Sequence, residues 1–493
     1  MFQRKALPVK SNMPTSAAAL IMLNIGAGLD IPTGSFLPGK HGEFMLNGGL
    51  GIVWGVTGKG NNFKTTILEW AMGRAAARYS YDMETDITTY DTEMNKDSNR
   101  ILRLLQRNPE FAERNPFEEG IYTITGKSEM YGDKWFEGLK EFLLEKEKNA
   151  KALMQPTPFL SVDKRSLIEI MQPTFSLIDS FSEFETSDIA KILDDNLLGE
   201  AGGNTVYMRQ NLAKNRLLME YPRLGVGNQH YLLNSAHFGK ELQMASGPYA
   251  PPPEKKMNSM RPGDKVKGVP DKYFYLVHWL GHASGSTVLK NKDNVVDYPR
   301  DTDDKRVGDT DLWEVPVNTL RSKSGSSSWS TTLVVSQTEG VLPSLTEFHM
   351  LRKSRFALVG NDQNYVNCFL PDEKLSRSVI RRKLDASAQL RRATNIASEL
   401  YQMTLYHNVI ERDILMDGPE LFAKIKEQGY NWEMILNRTR GWWKTYNENH
   451  PLLPLSTKDL LNMAKGRYHP FWLEADKQTI KKEFDNPTGY QFY

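Results

Sequence analysis

One short segment, residues 58–66, restricts the fold of this chain more than any other. It reads Gly-Lys-Gly-Asn-Asn-Phe-Lys-Thr-Thr, follows an apolar stretch over 48–55 and opens a helical pattern over 65–78. A strand, a glycine-rich loop and a helix in that order are the context in which the spacing G-x-x-x-x-G-K-[ST] binds phosphate. Backbone amides of the loop and the positive end of the helix would hold the β- and γ-phosphates, Lys64 would add a charge, and the Thr65 hydroxyl would bind magnesium.

The segment departs from the motif at one position, because Phe63 stands where the second glycine belongs. None of the phosphate contacts needs a side chain there, provided that the backbone is not held in a conformation that only glycine adopts. The competing interpretation is a Gly/Asn turn before a core helix. The pattern predicts a site for ATP and Mg²⁺ built from Gly58, Lys59, Gly60, Asn61, Asn62, Phe63, Lys64, Thr65 and Thr66.

Polar residues also stand at the ends of three further predicted strands. Asp179 and Glu93 close two of them, and Asn234 and His237 end a third. The carboxyl ends of parallel strands meet at one edge of a sheet. Asp179 is therefore interpreted as the carboxylate that holds magnesium through water, and Glu93 as the group that orients and deprotonates the attacking water. Taken singly, an aspartate at a strand end is more often a turn residue, and a lone glutamate is more often a solvated surface group.

Composition narrows the class of protein. The 493 residues are 40% apolar and 25% charged, which is ordinary globular composition and gives room for roughly two to four domains. A formal net charge of +2 excludes a general polycation, so any nucleic-acid surface must be local. The single cysteine, Cys368, excludes an intramolecular disulfide and a thiolate zinc site. No run approaches the ~18 apolar residues of a membrane helix, and we expect a soluble protein of the cell interior without a membrane partner.

Hydrophobic periodicity divides the chain into three parts. Residues 1–45 are expected to form an N-terminal arm that packs on a neighbouring protomer, with a short helix that starts at Thr15 or Ser16 and ends near Leu23. Residues 46–358 form an α/β core, whose alternation of strands and helices implies a mainly parallel central sheet covered by helices. From about Gly360 the period becomes helical, and residues 359–493 form a separate helical C-terminal domain. The strands of the core are predicted over 48–55, 87–93, 174–179, 230–234, 273–280, 312–321 and 331–336.

A basic, proline-rich segment over 247–271 interrupts this order. It holds six prolines and five Lys or Arg against three acids, and it predicts a long mobile loop. Its cations alternate with Tyr249, Met257 and Met260, so phosphate neutralisation would combine with side chains that stack on bases or insert between them. A solvated linker is the alternative. The DNA-binding candidates in this segment are Lys255, Lys256, Arg261, Lys265 and Lys267.

A second basic run, over 374–392, lies beside an apolar helical stripe. Such a run is usually a solvated helix face. The alternative is an entry site for duplex DNA that includes Arg381, Arg382 and Lys383.

In the order of these motifs the sequence resembles the RecA-type recombinases, and most closely their phage UvsX-like branch, which also carries Phe before the lysine of the loop. The motif order covers residues 28–356, whereas the insertion 282–311 and the tail beyond Gly360 have no counterpart in it. The resemblance implies a RecA-like P-loop ATPase core. It also implies a protein that coats single-stranded DNA as a helical filament, hydrolyses ATP and exchanges strands with homologous duplex DNA.

The resemblance assigns further roles residue by residue. Asp97 falls where the family contacts adenine, and Asn234 and His237 fall where it senses the γ-phosphate. Arg321 and Lys323 fall where the family inserts two basic residues into the ATP site of the neighbouring subunit, although basic residues also commonly protect a solvated edge strand. The second DNA loop would be the basic segment over 247–271. The first DNA loop and the helix after it would contribute Gly199, Gly202, Gly203, Asn204 and Arg209.

The favoured function is an ATP-dependent strand-exchange recombinase for homologous recombination, repair and recombination-dependent replication. Its partners would be single-stranded DNA, homologous duplex DNA, further copies of the chain, a mediator and a single-strand-binding protein, in the cytoplasm of an infected host cell. One alternative is a ring-forming hexameric translocase or helicase on the same core. The other is a scaffold protein that binds nucleotide and DNA without hydrolysis.

Overall fold

The structure, a computed structural model, describes most of the chain. The described residues are 20–80, 85–128, 130–161, 166–195, 203–241, 255–291, 293–300, 310–324, 327–361, 363–406, 410–446 and 450–485. They form an α/β protein built around a large mixed sheet.

Helices and strands alternate along most of the chain. The first half contains α1 (Asp30–Thr33), β1 (Ser35–Pro38), β2 (Phe44–Asn47), β3 (Val53–Gly58), α2 (Lys64–Tyr79), β4 (Ile87–Asp91), α3 (Ser98–Leu105), β5 (Tyr122–Gly126), α4 (Gly132–Lys148), α5 (Ala150–Leu153), β6 (Met154–Leu160), β7 (Leu167–Met171), β8 (Thr174–Asp179), α6 (Ser187–Asp195), α7 (Gly203–Asn228) and β9 (His230–Lys240). The second half contains β10 (Asp264–Val266), α8 (Lys272–Leu276), β11 (Trp279–Ala283), β12 (Thr287–Val288), β13 (Leu312–Ser322), β14 (Ser330–Ser336), β15 (Gly340–Val341), α9 (Pro343–Ser354), β16 (Leu358–Asn361), β17 (Asn364–Asn367), β18 (Leu370–Leu375), α10 (Ile380–Ala386), α11 (Ala388–Leu405), α12 (Gly418–Glu427), α13 (Trp432–Arg438), β19 (Thr439–Arg440), β20 (Leu453–Pro454) and α14 (Thr457–Ala464). Short 3-10 turns lie at Pro109–Phe111 and Phe181–Glu183.

The central sheet has eleven strands in the order β15-β14-β13-β11-β3-β9-β8-β4-β5, with β10 added to β9 and β12 added to β13. The six strands from β11 to β5 run parallel, and the remaining pairings are antiparallel. The expected α/β class is confirmed, in a mixed sheet with a parallel centre. The register pairs Gly58 with His237 and Asp91 with Asp179, so the carboxyl ends of β3, β9, β4 and β8 lie at one edge.

Two predictions coincide with the structure because their signals are local. α2 spans Lys64–Tyr79 where a helix was expected over 65–78, and most of its residues are buried. β8 spans Thr174–Asp179, as predicted, and all six of its residues are buried, which is the pattern of a parallel strand covered on both faces.

The strand predicted over 273–280 is wrong in its first half. Residues Lys272–Leu276 form α8, which packs against α7, and β11 starts only at Trp279. A short run of aromatic and aliphatic residues has no period that separates a helical turn from a strand. The neighbouring helix therefore decides its conformation.

Within the described part of the basic segment, 255–271, the loop prediction is wrong at Asp264–Val266, which form β10. β10 pairs antiparallel with β9, with Lys265 opposite Gly239, and Met260 and Val266 are buried. The order Asp-Lys-Val-Lys places alternate residues on a buried and an exposed face, as an added strand requires. Residues 247–254 of the predicted loop lie outside the described residues.

The prediction of an N-terminal helix is wrong over 20–23, where the chain is not helical. The first part of the predicted helix, 15–19, lies outside the described residues. Leu23 instead pairs with Leu50 through two backbone hydrogen bonds of 3.0 and 2.8 Å. Trp443 donates from its ring nitrogen to the Met22 carbonyl at 3.0 Å. This part of the arm is buried within its own protomer, because its apolar residues find partners in both the core and the tail.

The tail begins with strands where helices were predicted. β16, β17 and β18 form a three-stranded antiparallel sheet, and Leu375, expected on a helical face, closes β18. The helical prediction is confirmed from Ile380 to Met403, which lie in α10 and α11, whereas the later part of the tail also contains the short strands β19 and β20. Strands with few β-branched residues carry little local signal, and cross-strand pairing specifies them.

Two buried hydrophobic clusters extend across the predicted domain limits. The cluster around the sheet includes Trp443 of the tail. The cluster in the tail includes Phe36 and Leu46 from the β1–β2 hairpin and Phe348 from α9. The domain boundaries at 45/46 and 358/359 stay a prediction.

Candidate functional site

The loop between β3 and α2 passes through the left-handed backbone region twice. Asn61 has a φ of 58°, and Phe63 has a φ of 57° and a ψ of 19°. This region favours glycine, but a single residue of another type adopts it at a cost of ~1 kcal/mol. The ring of Phe63 packs 5.6 Å from the ring of Trp313, and this contact offsets part of that cost. Phenylalanine is therefore compatible with the position where the motif has glycine.

The end of β11 supports this loop from one side. A Cβ atom on Gly58 would lie 2.8 Å from the carbonyl oxygen of Ala283, so the close approach requires glycine. The Asn62 amide donates to the same oxygen at 3.0 Å. A Cβ atom on Gly60 would meet nothing within 4 Å among the described residues. The loop is held at positions 58 and 62 and open at position 60.

Lys64 opens α2 and directs its ammonium back into the loop. Its Nζ donates to the Lys59 carbonyl at 2.8 Å. Burial lowers the pKa of Lys64, while the charges of Asp179 and Glu93 act in the opposite direction. A partly desolvated cation attracts an anion more strongly than one in water, so the arrangement favours an anion in the loop.

Asp179 lies at the centre of a hydrogen-bonded cluster at the end of β8. Thr65 donates to its Oδ2 at 2.8 Å, and Ser235 donates to its Oδ1. Lys96 Nζ lies 2.7 Å from Oδ2. Burial would raise the pKa of Asp179, but the Lys96 ammonium and the two hydroxyls hold it below its usual value. Asp179 is therefore charged at neutral pH, beside the first turn of the helix that follows the loop.

The oxygen atoms of this cluster suit a hard cation. The hydroxyls of Thr65 and Ser235 and the Asp179 carboxylate are of the donor type that Mg²⁺ prefers. Mg²⁺ commonly takes one or two protein ligands and completes its shell with phosphate and water. Among the described residues, no group of three or more His, Cys, Asp or Glu could hold a metal ion. The site fits a magnesium ion that arrives with phosphate, in place of a cage made of protein carboxylates.

Asn234, predicted to sense the γ-phosphate, is turned away from this cluster. It is buried, and its carbonyl oxygen accepts from the Tyr273 hydroxyl. Successive residues of a strand point to opposite faces, so the next residue, Ser235, reaches Asp179. The register pairs Asn234 with Ile178, which places Ser235 level with Asp179. Strand alternation is the signal that would have found this serine.

Lys96 is a second residue of the site that sequence reasoning missed. Its side chain is 3% exposed, and Nζ lies 2.8 Å from Glu69 Oε1 in addition to its contact with Asp179. Burial alone would lower the pKa of Lys96, but the two carboxylates raise it above its ordinary value. No local pattern separates this lysine from a solvated one, because its partners come from α2 and β8.

Glu93 and His237 meet beside the cluster. His237 Nε2 lies 3.5 Å from Glu93 Oε1, and both side chains are about one-third exposed, at 34% and 30%. The Asp91 carboxylate accepts the backbone amides of Glu93 and Asn95 at 3.2 and 2.9 Å, and this turn presents Glu93. The two residues that the sequence placed at the ends of different strands are thus brought together, open to water.

Asp97 begins α3. Its carboxylate accepts the Asn99 amide at 2.9 Å as a helix cap. One turn on, Arg100 donates to the Thr66 hydroxyl at 2.7 Å, which ties the start of α3 to the start of α2. The adenine contact of Asp97 stays a prediction.

Arg321 and Lys323 lie away from the phosphate loop of their own protomer. Arg321 pairs with Leu280 of β11, and Leu280 pairs in turn with Gly55, three residues before the end of β3. The amide of Lys323 donates to the His278 carbonyl at 2.9 Å, beside the start of β3. With ~3.3 Å per residue and two strand spacings of ~4.8 Å, their backbones lie roughly 14 and 19 Å from Gly58. A lysine or arginine side chain does not span either distance.

The first predicted DNA loop is described only in part. Gly199 and Gly202 lie outside the described residues. Gly203 and Asn204 are the first residues of α7, so the loop prediction is wrong at these two positions. Glycine and asparagine are both well tolerated where a helix begins. Arg209 lies on the following helix, as predicted.

The basic segment presents cations to solvent. The exposed ones are Lys255, Arg261, Lys265 and Lys267. A cavity of about 340 Å³ beside it is lined by Lys255, Lys256, Tyr275 and Arg321, among others. Tyr275 is 72% exposed. Proteins that bind single-stranded nucleic acid combine two features: cations that hold the phosphates and exposed aromatic rings on which the bases stack.

The second basic run is partly occupied by contacts within the chain. Arg381 is 4% exposed and lies 2.8 Å from Glu339, and Lys383 lies 2.9 Å from Glu373. Arg382 is exposed. Two of the three cations named for the duplex entry site are therefore engaged in ion pairs within the chain, and the entry site itself stays a prediction.

Lys214 on α7 is a third residue that sequence reasoning missed. It is 1% exposed, and its Nζ donates to the carbonyls of Phe181 and Gly268 at 3.0 and 2.8 Å. The Ser182 hydroxyl donates to the Lys267 carbonyl at 2.8 Å. The turn that follows Asp179 is thereby bound to the basic segment.

None of the described helices is long and apolar enough to cross a membrane. A comparison of the chain with models of known protein families, and another with curated proteins, found no match.

Proposed function

We propose that this protein is an ATP-dependent DNA strand-exchange recombinase with a RecA-like core that forms helical filaments on single-stranded DNA. The observation that carries the proposal is the hydrogen bond of 2.8 Å from Thr65 to Asp179, residues 114 positions apart. It joins the first turn after a phosphate loop to a carboxylate at the end of a buried parallel strand. P-loop nucleotide hydrolases hold their magnesium and phosphates with this pair of groups.

The residues around this bond have the chemistry that ATP hydrolysis needs. The loop amides and Lys64 would bind the β- and γ-phosphates. Thr65 and, through water, Asp179 would hold a magnesium ion, which when bound neutralises charge on the transferred phosphoryl group. Glu93 accepts a proton from a water molecule that it orients. His237 Nε2 lies 3.5 Å from Glu93 Oε1 and would help to orient that carboxylate.

The position of Arg321 and Lys323 supports a site shared between copies of the chain. The resemblance to the RecA-type recombinases places both cations in the ATP site of the neighbouring subunit. Both lie too far from the loop of their own protomer to touch phosphates bound there. A second protomer would supply them. Nucleotide binding would then favour assembly, and hydrolysis would weaken the interface.

Single-stranded DNA would lie along the basic segment. Lys214 and Ser182 connect that segment to the turn after Asp179, so occupancy of one site would affect the other. Contacts through phosphate and stacking are tolerant of base sequence, as homology search requires. The same proposal includes three further partners: homologous duplex DNA, a mediator and a single-strand-binding protein. It places the protein in the cytoplasm of an infected cell.

The test is phosphate release from ATP with and without single-stranded DNA, with electron microscopy of the same samples. We expect DNA-stimulated release and open helical filaments that require nucleotide. Glu93→Gln should abolish release and retain nucleotide binding, whereas Glu137→Gln, a matched change of an exposed glutamate, should have no effect. Closed hexameric rings would indicate a translocase. A chain that stays a single particle with nucleotide, magnesium and DNA would contradict the proposal.

One observation favours the scaffold alternative. The ammonium of Lys96 lies on the carboxylate that would hold magnesium, so nucleotide would bind without the metal geometry needed for cleavage. Nucleotide binding with no phosphate release, in the presence or absence of DNA, would support that function.

A further inference from the structure

Lys96 connects three parts of the candidate nucleotide site. Its Nζ lies 2.7 Å from Asp179 Oδ2 and 2.8 Å from Glu69 Oε1, and the three side chains are 3–4% exposed. Glu69 lies one helical turn after Thr65 on α2, so it is on the same face of that helix. The ammonium is therefore held between two carboxylates, directly beside the predicted position of the metal.

The contacts of Asp179 leave little room for a free metal ion. Its Oδ1 accepts from Ser235, and its Oδ2 is shared by Thr65 and Lys96. A buried carboxylate without a positive partner is strongly unfavourable, and Lys96 supplies that partner. A divalent cation arriving at the same carboxylate meets a positive charge already in contact with it.

We propose that Lys96 is an internal cation that neutralises Asp179 in the nucleotide-free protein and prevents magnesium from binding there without nucleotide. This inference rests on the proposed phosphate site. With nucleotide and magnesium bound, Lys96 would keep its contact with Glu69, and the charge of the phosphates would offset the repulsion between Lys96 and the metal. Glu69 is thus a positioning residue that receives the ammonium, and metal and nucleotide bind as one unit.

The first test is Mn²⁺ binding to the nucleotide-free, full-length protein, followed by the electron paramagnetic resonance signal of free Mn²⁺. Lys96→Met should bind Mn²⁺ about tenfold more tightly than wild type or more, because the opposing charge is gone. Lys96→Arg keeps the charge, so its Mn²⁺ binding should remain as weak as that of wild type. Lys134→Met, which removes a lysine from an exposed pair with Glu137, should match wild type.

Thermal unfolding gives an independent readout. The melting temperature of Lys96→Met should be lower than that of wild type in EDTA and should recover in excess Mg²⁺, since the metal replaces the lost ammonium. The melting temperature of wild type should not change between the two conditions. Adding Asp179→Asn to Lys96→Met should remove both the tighter Mn²⁺ binding and the recovery.

A second variant keeps the inference testable if Lys96→Met does not fold. In Glu69→Gln the ammonium has only Asp179 as a charged partner, so more Mg²⁺ should be needed to bind a fluorescent ADP analogue. An unchanged or lower Mg²⁺ requirement would overturn the inference, as would unchanged Mn²⁺ affinity in a folded Lys96→Met. The Mn²⁺ and melting measurements use no nucleotide, DNA or turnover, so absence of hydrolysis or filaments would contradict the proposed function and leave these results unaffected.

Discussion

Lys214 Nζ donates to the carbonyl oxygen of Gly268 at 2.8 Å and thereby fixes the end of the basic segment to α7. The same ammonium donates to Phe181, two residues after Asp179. One buried cation thus joins three elements: the helix after the first predicted DNA loop, the end of the second predicted DNA loop, and the turn after Asp179 in the candidate nucleotide site. Lys214 thus holds together elements that lie far apart in the sequence.

Lys214 should make stability depend on pH in the alkaline range. Burial lowers the pKa of Lys214 from 10.5 to about 8. Between these values the unfolded chain binds the extra proton, so the free energy of unfolding should rise with pH by about 1.4 kcal/mol per unit from this residue. Urea unfolding of wild type and Lys214→Met over this interval should show wild type gaining stability relative to the variant. Lys140→Met, at an exposed lysine paired with Glu220, should keep the wild-type slope. Parallel curves for wild type and Lys214→Met would contradict the prediction.

Lys64 and Lys59 lie in the same loop and should differ in their effect on nucleotide binding. Lys64→Ala should weaken ATP binding by about tenfold or more, because it removes a partly desolvated charge aimed into the loop. Lys59→Ala should have little effect, since that side chain is exposed. Calorimetric titration with a non-hydrolysable ATP analogue measures both. Equal losses would show that the loop does not hold the phosphates as proposed.

Phe63 offers a test of the loop backbone. Phe63→Ala keeps the left-handed conformation and loses the contact with Trp313, whereas Phe63→Gly loses the contact but relieves the backbone. Phe63→Ala should therefore be less stable than Phe63→Gly by about 1 kcal/mol in chemical unfolding. Gly60→Ala has open space and should be nearly neutral. An alanine variant as stable as the glycine variant would rule out the left-handed conformation.

Arg321 should act on the nucleotide of a neighbouring protomer. Lys64→Ala and Arg321→Ala should each lose ATP hydrolysis when assayed alone. Mixed together, they should recover part of it, because a Lys64→Ala protomer can present its Arg321 to the intact loop of an Arg321→Ala protomer. Mixing Lys64→Ala with the double variant should recover nothing. Absence of recovery in the first mixture would argue against a shared site.

Lys265 and Lys267 should contribute to DNA binding through phosphate. Replacing either with Ala should reduce the slope of log affinity against log salt by about 0.7, the value for one phosphate contact on a single strand. Fluorescence anisotropy with two oligonucleotides of different sequence should show the same change for both. Lys134→Ala, at an exposed lysine outside the segment, should leave the slope unchanged.

The parts of the site that were predicted from the sequence have local signals. The loop over 58–66, α2 and β8 each follow from a contiguous pattern of glycine, apolar and polar residues. Glu93 and His237 were placed at strand ends, and the parallel register brings them together. The pattern named a strand end without saying which face each residue takes, so it did not reveal that Asn234 contacts Tyr273 and that Ser235 reaches Asp179.

The sequence by itself determined the order of strand, glycine-rich loop and helix over 53–79, because backbone conformation over a few residues depends mainly on those residues. Only the tertiary structure decided which side chains reach Asp179, that β10 is a strand, and that Lys96 and Lys214 are buried cations. A lysine becomes a partner or a solvated group according to the carboxylates and carbonyls that surround it. In this fold Lys96 meets carboxylates from α2 and β8, and Lys214 meets a carbonyl group 54 residues away. The approach of these groups depends on burial of the whole sheet.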